Sequence, residues 1–333
     1  FSGIYNSNSG INRLNQFITV ENITKELNPT YGSIQKLHSR NTDLIAFCED
    51  KVLRVLANKD ALYNADGNFQ LTSTENVLGQ AVPYVGEYGI SKYPESFSSY
   101  GYRSYFIDQQ RGCALRLSKD GLEVISEYGM KDWFRDNLNG ASGGNGYNIS
   151  KIIGAFDEHA GNYDVTLHRD IEGTTGNESD SKTLSFNEKT NGWVSFKSYI
   201  SNLGISFNGK YYTFKHGEIW EHYSNDKRNN FYQDWNDLTQ IHYNSTINLL
   251  FNEDPGTVKS FNTLNYEGTT SRITADPPVT AQELLDGVSY ASHDGSKPPS
   301  MVGEYYNNTG AEGWYVNLIK TNLKIKKENI LHL

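Results

Sequence analysis

The chain has 333 residues, 30 Lys and Arg against 39 Asp and Glu, and a formal net charge of −9, with a pI near 5.4. That balance argues against a Lys/Arg-rich surface that gains affinity for nucleic acid by releasing counterions. No apolar run approaches the ~18 residues needed to span a bilayer, so the sequence predicts a soluble chain without a membrane span.

With 30 Gly, 23 Tyr and 15 Phe against 2 Met and 2 Cys, the composition is that of strands and turns. Aromatic residues suit pleated, half-buried surfaces and Gly suits positive φ. Residues 1–35 are polar, rich in Asn and Ser and weakly periodic, and are expected to form an N-terminal arm or edge strands. The chain begins with Phe and shows no charged-then-apolar leader, which predicts an internal or processed piece of a longer protein.

Residues 36–253 carry the predicted meanders. Asn41 to Ala57 predicts two strands around Glu49-Asp50. Residues 95–126 predict a compact antiparallel unit with short runs at Ser104–Asp108, Ala114–Leu117 and Leu122–Ile125, the last after the Lys119-Asp120-Gly121 turn. Met130 to Leu138 places Trp133, Phe134 and Leu138 at helical spacing. Four further runs follow at 152–156, 163–168, 183–187 and 193–199, with turns at Ala160-Gly161-Asn162 and Asn191-Gly192 and a long acidic loop over 170–181. Gly204 to Tyr223 holds three runs divided by Asn208-Gly209 and His216-Gly217, the dipeptides of tight hairpin turns.

This kind of unit recurs about every 40 to 50 residues, the range of propeller blades. Residues 254–333 are expected to form a smaller, mainly β part, with a strand pair near Val258–Tyr266, a helical turn at Thr280–Leu285, exposed connections at Pro277-Pro278 and Pro298-Pro299, and a strand over 314–319. The terminal Lys320, Lys324, Lys326 and Lys327 read as a solvated strand face. The expected fold class is all-β, built of β-propeller-like meander blades with a smaller mainly β C-terminal part and few short helices.

Motifs that could carry chemistry fail on geometry. Asp157-Glu158-His159 with His168 could supply a carboxylate and a base, but neighbours along a strand alternate faces and do not converge. Asn64, Asp66, Asn68, Gln70, Thr72 and Glu75 follow the rhythm of a calcium loop, yet Phe69 stands where its sharp turn needs Gly, leaving a polar loop between strands. Ser118-Lys119-Asp120-Gly121 resembles the start of an aspartate-box hairpin without its Trp, and Gly140 to Gly146 is a flexible link with no phosphate-binding frame. Cys48 and Cys113 sit in apolar runs and read as small buried hydrophobes. The sequence thus predicts no catalytic, cofactor-binding or metal site residues.

Three stretches carry a family resemblance. DLIAFCEDKVLRVLANKDALYNADGNFQLTSTENVLGQAVPYVGEYGIS at 43–91, GISKYPESFSSYGYRSYFIDQQRGCALRLSKDGLEVISEYGMKDWFRDNL at 89–138 and INLLFNEDPGTVKSFNTLNYEGT at 247–269 resemble virion structural proteins of tailed bacteriophages, of the muzzle, nozzle or tail-stabilisation type of crAss-like and related phages. The resemblance implies a propeller-bearing, non-enzymatic subunit of the phage tail, assembled in the bacterial host cytoplasm and placed in the virion. It further implies that copies of the chain form a ring, a hexamer, at the distal tail end beside other tail proteins, and that genomic DNA leaves through the ring without being held. Two readings from other classes stand beside it. One is a receptor- or glycan-binding propeller at the tail tip that stacks sugars on Trp220 or Trp314. The other is a propeller glycosidase with two carboxylates ~5–10 Å apart.

Overall fold

A computed structural model describes residues 3, 5–7, 10–17, 25–40, 43–63, 69–138, 147–171, 181–224, 229–233, 245–250, 256–257, 273–275 and 305–307. The chain divides into two units, Phe1–Ile247 and Asn248–Leu333. Among its described residues the first unit is all-β apart from one α-helix and three single-turn 3-10 helices. It opens with a small hairpin of β1 (Tyr5–Asn6) and β2 (Ile11–Asn12).

Four antiparallel sheets follow, each a meander whose strands are neighbours in both sequence and space. The first contains β3 (Ile34–Arg40), β4 (Asp43–Cys48), β5 (Val52–Tyr63) and β6 (Phe69–Pro83). The second contains β7 (Ser98–Tyr100), β8 (Arg103–Asp108), β9 (Cys113–Leu117) and β10 (Leu122–Val124), followed by α1 (Lys131–Leu138). The third contains β11 (Tyr147–Asp157), β12 (Asn162–Ile171), β13 (Lys182–Asn187) and β14 (Gly192–Lys197). The fourth has three strands, β15 (Leu203–Phe207), β16 (Lys210–Lys215) and β17 (Glu218–Glu221). In the second unit β18 (Ile273–Ala275) pairs antiparallel with β19 (Tyr305–Asn307). The all-β class with few helices is therefore observed. The predicted strand pair at 258–266, the helical turn at 280–285, the paired prolines, the strand at 314–319 and the terminal lysines lie outside the described residues.

Turn chemistry sets the strand order. Asn208 and Gly209 both take positive φ (53° and 73°), as do His216 and Gly217 (51° and 85°). Two consecutive left-handed residues make the two-residue hairpin turn whose twist matches its flanking strands. β5 and β6 form a longer hairpin, in register from Leu53↔Pro83 to Tyr63↔Phe69 with two irregularities. The sequence reading made 64–75 a polar loop, whereas Gln70, Thr72 and Glu75 belong to strand β6. β-branched Thr72, Thr74 and Val77 favour an extended backbone there.

The sheets stack in chain order, with a core at each of the first two junctions. Ile45, Phe47 and Val52 of the first sheet pack with Phe106, Cys113, Leu115 and Leu117 of the second. Alternation turns Tyr105, Ile107 and Ala114 of the second sheet the opposite way, onto Phe156, Tyr163, Val165, Leu184 and Phe186 of the third, with Phe134 and Leu138 of α1 closing the cluster. The second sheet is thus buried on both faces, unlike a sheet with one wet side. Where β11 crosses the chain before β7 there is room only for Gly: a Cβ on Gly154 would lie 1.9 Å from the Ser96 carbonyl oxygen. Among the described residues no helix is long and apolar enough to cross a membrane.

Candidate functional site

β12 reads Tyr163, Val165 and Leu167 into the apolar junction and Asp164, Thr166 and His168 to its other face, following the two-residue period of a strand. The fourth sheet buries much of this polar face, and its groups must find partners inside the protein. Asp164 accepts from Ser185 Oγ at 2.5 Å and from the Tyr199 hydroxyl at 2.6 Å. Thr183 donates to the Tyr199 carbonyl at 2.6 Å, which uses its only proton. Thr166 must then donate to Thr183 (2.9 Å), and Ser201 to Thr166 (3.2 Å). His168 Nε2 lies 2.7 Å from the Ser201 carbonyl oxygen, which can only accept, so that nitrogen carries the proton.

Beside this chain of hydroxyls, Asp157 closes the β11–β12 turn. Its Oδ1 accepts from the His159 and Ala160 amides at 3.0 and 3.2 Å, and its Oδ2 from the Tyr223 hydroxyl at 2.6 Å. His159 stacks on the Tyr223 ring at 4.3 Å. Thr213 lies 2.7 Å from His222 Nε2 and accepts from the Tyr232 hydroxyl at 3.0 Å.

Burial sets the protonation of this region. It raises the Asp164 carboxyl from 3.8 to about 6, although the Ser185 and Tyr199 hydrogen bonds act the other way. It lowers His222 from 6.5 to about 4, so the ring is neutral across ordinary pH. Tyr199 and Tyr211 are pushed well above the usual phenol range, first by burial and then by the nearby Asp164 carboxylate. Such a carboxyl can hold a proton below pH ~6, but its hydrogen bonds run to side chains of its own scaffold. The arrangement acts as a cross-brace.

The junction of the second and third sheets holds an ion cluster. Arg116 Nη1 meets Glu188 at 2.9 and 3.2 Å, and Arg103 Nε lies 3.3 Å from the same carboxylate. Arg116 Nη2 bonds Glu123, to which Tyr128 also donates, and the Tyr105 hydroxyl donates to Glu188. Arg116 thus bridges two carboxylates, Glu188 through Nη1 and Glu123 through Nη2, with charge-assisted hydrogen bonds. Burial acts to raise Glu123, but hydrogen bonds from Tyr128 and Arg116 outweigh it and hold the carboxyl below its ordinary range. A glycosidase general acid requires the opposite shift.

At the first junction, fully buried Asp108 accepts from Gly89 N–H at 3.0 Å, Ser91 Oγ at 2.8 Å, and Arg111 through its amide and Nη1, both at 3.1 Å. Arg111 reaches on to Asp50 at 3.3 Å in the β4–β5 turn.

Of the residues singled out in sequence, Asp157 and His159 meet on Tyr223, whereas Glu158 and His168 turn elsewhere. Asp157 is buried in the turn, exposed Glu158 binds Ser206 Oγ through its amide at 3.0 Å, and His159 and His168 serve different neighbours. Ser118 to Gly121 forms a turn closed by Ser118 N to Gly121 O at 2.9 Å, with Lys119 Nζ 4.2 Å above the Tyr102 ring. Trp133 and Trp193 pack on the core, Trp193 donating to the Ile125 carbonyl at 2.9 Å, and Trp220 packs edge-on to Tyr232 at 5.6 Å. Trp314, residues 140–146 and the calcium-like positions 64–68 lie outside the described residues. Among the described residues no three of His, Cys, Asp and Glu gather where they could hold a metal ion.

Sequence reasoning missed Asp108, Arg116, Glu188 and Asp164 as organising residues. For Asp108, Arg116 and Asp164 the one local sign is a charge at the end of, or inside, an otherwise apolar strand, as in Ser104–Asp108 and Tyr163–Leu167, whereas Glu188 lies in the turn after β13. Their partners lie up to 85 residues away, as from Arg103 to Glu188. No family model and no curated protein matches the chain.

Proposed function

We propose that this chain is a non-enzymatic structural component of a phage tail, a subunit that assembles with copies of itself into a ring at the distal tail end and serves as conduit or gate for DNA exit. The observation that carries the reading is how the polar groups between consecutive sheets are used. Asp108 and Arg111, Arg116 and Glu188, and Asp164 and Tyr199 each spend their hydrogen bonds on the scaffold. That favours a stiff stack over a reactive cleft. The quoted segments that resemble tail proteins supply the location, and an acidic chain of net charge −9 suits a wall past which phosphates slide.

The test is an electron-microscopic reconstruction of the intact particle. The expected result is a symmetric ring of this chain at the tail end, with the sheet stack beside the channel. A chain that is a stable monomer and never found in virions overturns the reading.

A further inference from the structure

The fourth sheet has two unlike faces. Gly204 and Ser206 of β15 turn toward the third sheet, where Ser206 Oγ donates to the Phe156 carbonyl at 2.7 Å. The alternate residues Leu203, Ile205 and Phe207 turn outward and are 48, 51 and 72 % exposed. Strand register places Phe214 beside Leu203 and Ile219 beside Phe214, and Ile219 is 64 % exposed. An apolar row across three strands is the pattern that a neighbouring sheet covers elsewhere in this stack, and here no described residue covers it.

The opposite end of the stack is the outer face of the first sheet. Its Ala46, Cys48 and Leu53 are covered by Leu27 and Tyr31, but Leu37, paired with Ala46, and Ile34, paired with Cys48, remain about half exposed. Among the described residues the unit therefore has at one end an uncovered face on which these apolar side chains flank the Lys210–Glu221 ion pair (2.8 Å), and at the other a half-covered apolar one.

We propose that the outer face of β15–β17 is an interface between copies of this chain, seated on the β3 side of the first sheet of the next copy. A contact between two different faces is head-to-tail and propagates to a ring or a filament. The outward apolar side chains of β15–β17 offer roughly 500 Å² per copy, hence about 1,000 Å² for the pair, the lower bound of specific interfaces. Concentration-dependent association follows, strengthened where a ring closes. The inference rests on the self-assembly in the reading above, and it names the surface.

Sedimentation velocity of the full chain over about 1–200 µM tests it. The wild type is expected to associate with rising concentration. The double variant Phe207→Glu, Ile219→Glu and, separately, Leu37→Glu should each weaken association at least tenfold with unchanged circular dichroism. If the double variant misfolds, Phe207→Ser alone serves. Mixing the two end-variants should restore pairs, because each brings the end that the other lacks. Assemblies that persist in folded variants, or a mixture that stays monomeric, overturn the interface and leave the ring reading standing. A wild-type chain monomeric throughout overturns the interface, and its absence from virions overturns the ring reading as well.

Discussion

The Tyr163 hydroxyl donates to the Ser96 carbonyl at 2.7 Å across the junction of the second and third sheets, at the place where Gly154 leaves room for the approach. The bond is buried and joins residues 67 apart in sequence. Close backbone approach thus sets the spacing of these two sheets, and side-chain packing follows from it.

Gly154→Ala should therefore cost about 3 kcal/mol or more, since the new methyl meets backbone that cannot yield. Gly161→Ala is the control. Gly161 has φ +69° but open space around it, so only the left-handed strain of about 1 kcal/mol applies. Urea unfolding of both variants checks the order, and equal losses would contradict the close-approach argument.

Asp108→Ala strips the acceptor from four donors and leaves the Gly89 amide and Ser91 hydroxyl unpaired in a buried site. A loss of about 3 kcal/mol is expected. The first and second sheets should also loosen against each other, seen as faster hydrogen exchange at Ile90 and Ser91, whose amides bond the β4–β5 region.

Acid and base responses oppose each other between the third and fourth sheets. Asp164 rises from 3.8 to about 6 on folding, so its contribution is fully present below pH ~4 and is lost as pH rises through 6. His222 falls from 6.5 to about 4, so its contribution is present above pH ~6.5 and is lost as pH falls through 4. Their slopes largely cancel between pH 4 and 6 in the wild type. Asp164→Asn should uncover the His222 slope, with stability falling by up to about 3 kcal/mol on acidification relative to wild type. His222→Gln should show the reverse slope. Chemical denaturation at several pH values reads both, and parallel curves for the three proteins would refute the opposition.

Both thiols should be silent in the folded protein. Burial raises the Cys113 thiol to about 12 and also raises Cys48, and reaction needs the thiolate. A thiol reagent at pH 8 is expected to titrate none in native protein and two after denaturation. Rapid labelling without denaturant would show that the junction opens.

Local pattern alone was enough to read the meanders. Two-residue alternation and the Asn208-Gly209 and His216-Gly217 dipeptides act between near neighbours, so β8–β10, β11–β14 and β15–β17 are legible within their own segments, as is α1 from the spacing of Trp133, Phe134 and Leu138. β6 was not legible, because polar Gln70 to Glu75 mimics a loop until β5 pairs with it.

The junctions belong to tertiary structure. Asp108 meeting Gly89, Arg116 meeting Glu188 and Asp164 meeting Tyr199 are contacts at separations of 19, 72 and 35 residues. A strand's period says only that a side chain has a face; which sheet covers that face depends on stacking. Stacking buried the charged and hydroxyl groups of the inner faces and left Phe207 and Ile219 in solvent, although all of them sit on strands of the same alternating kind.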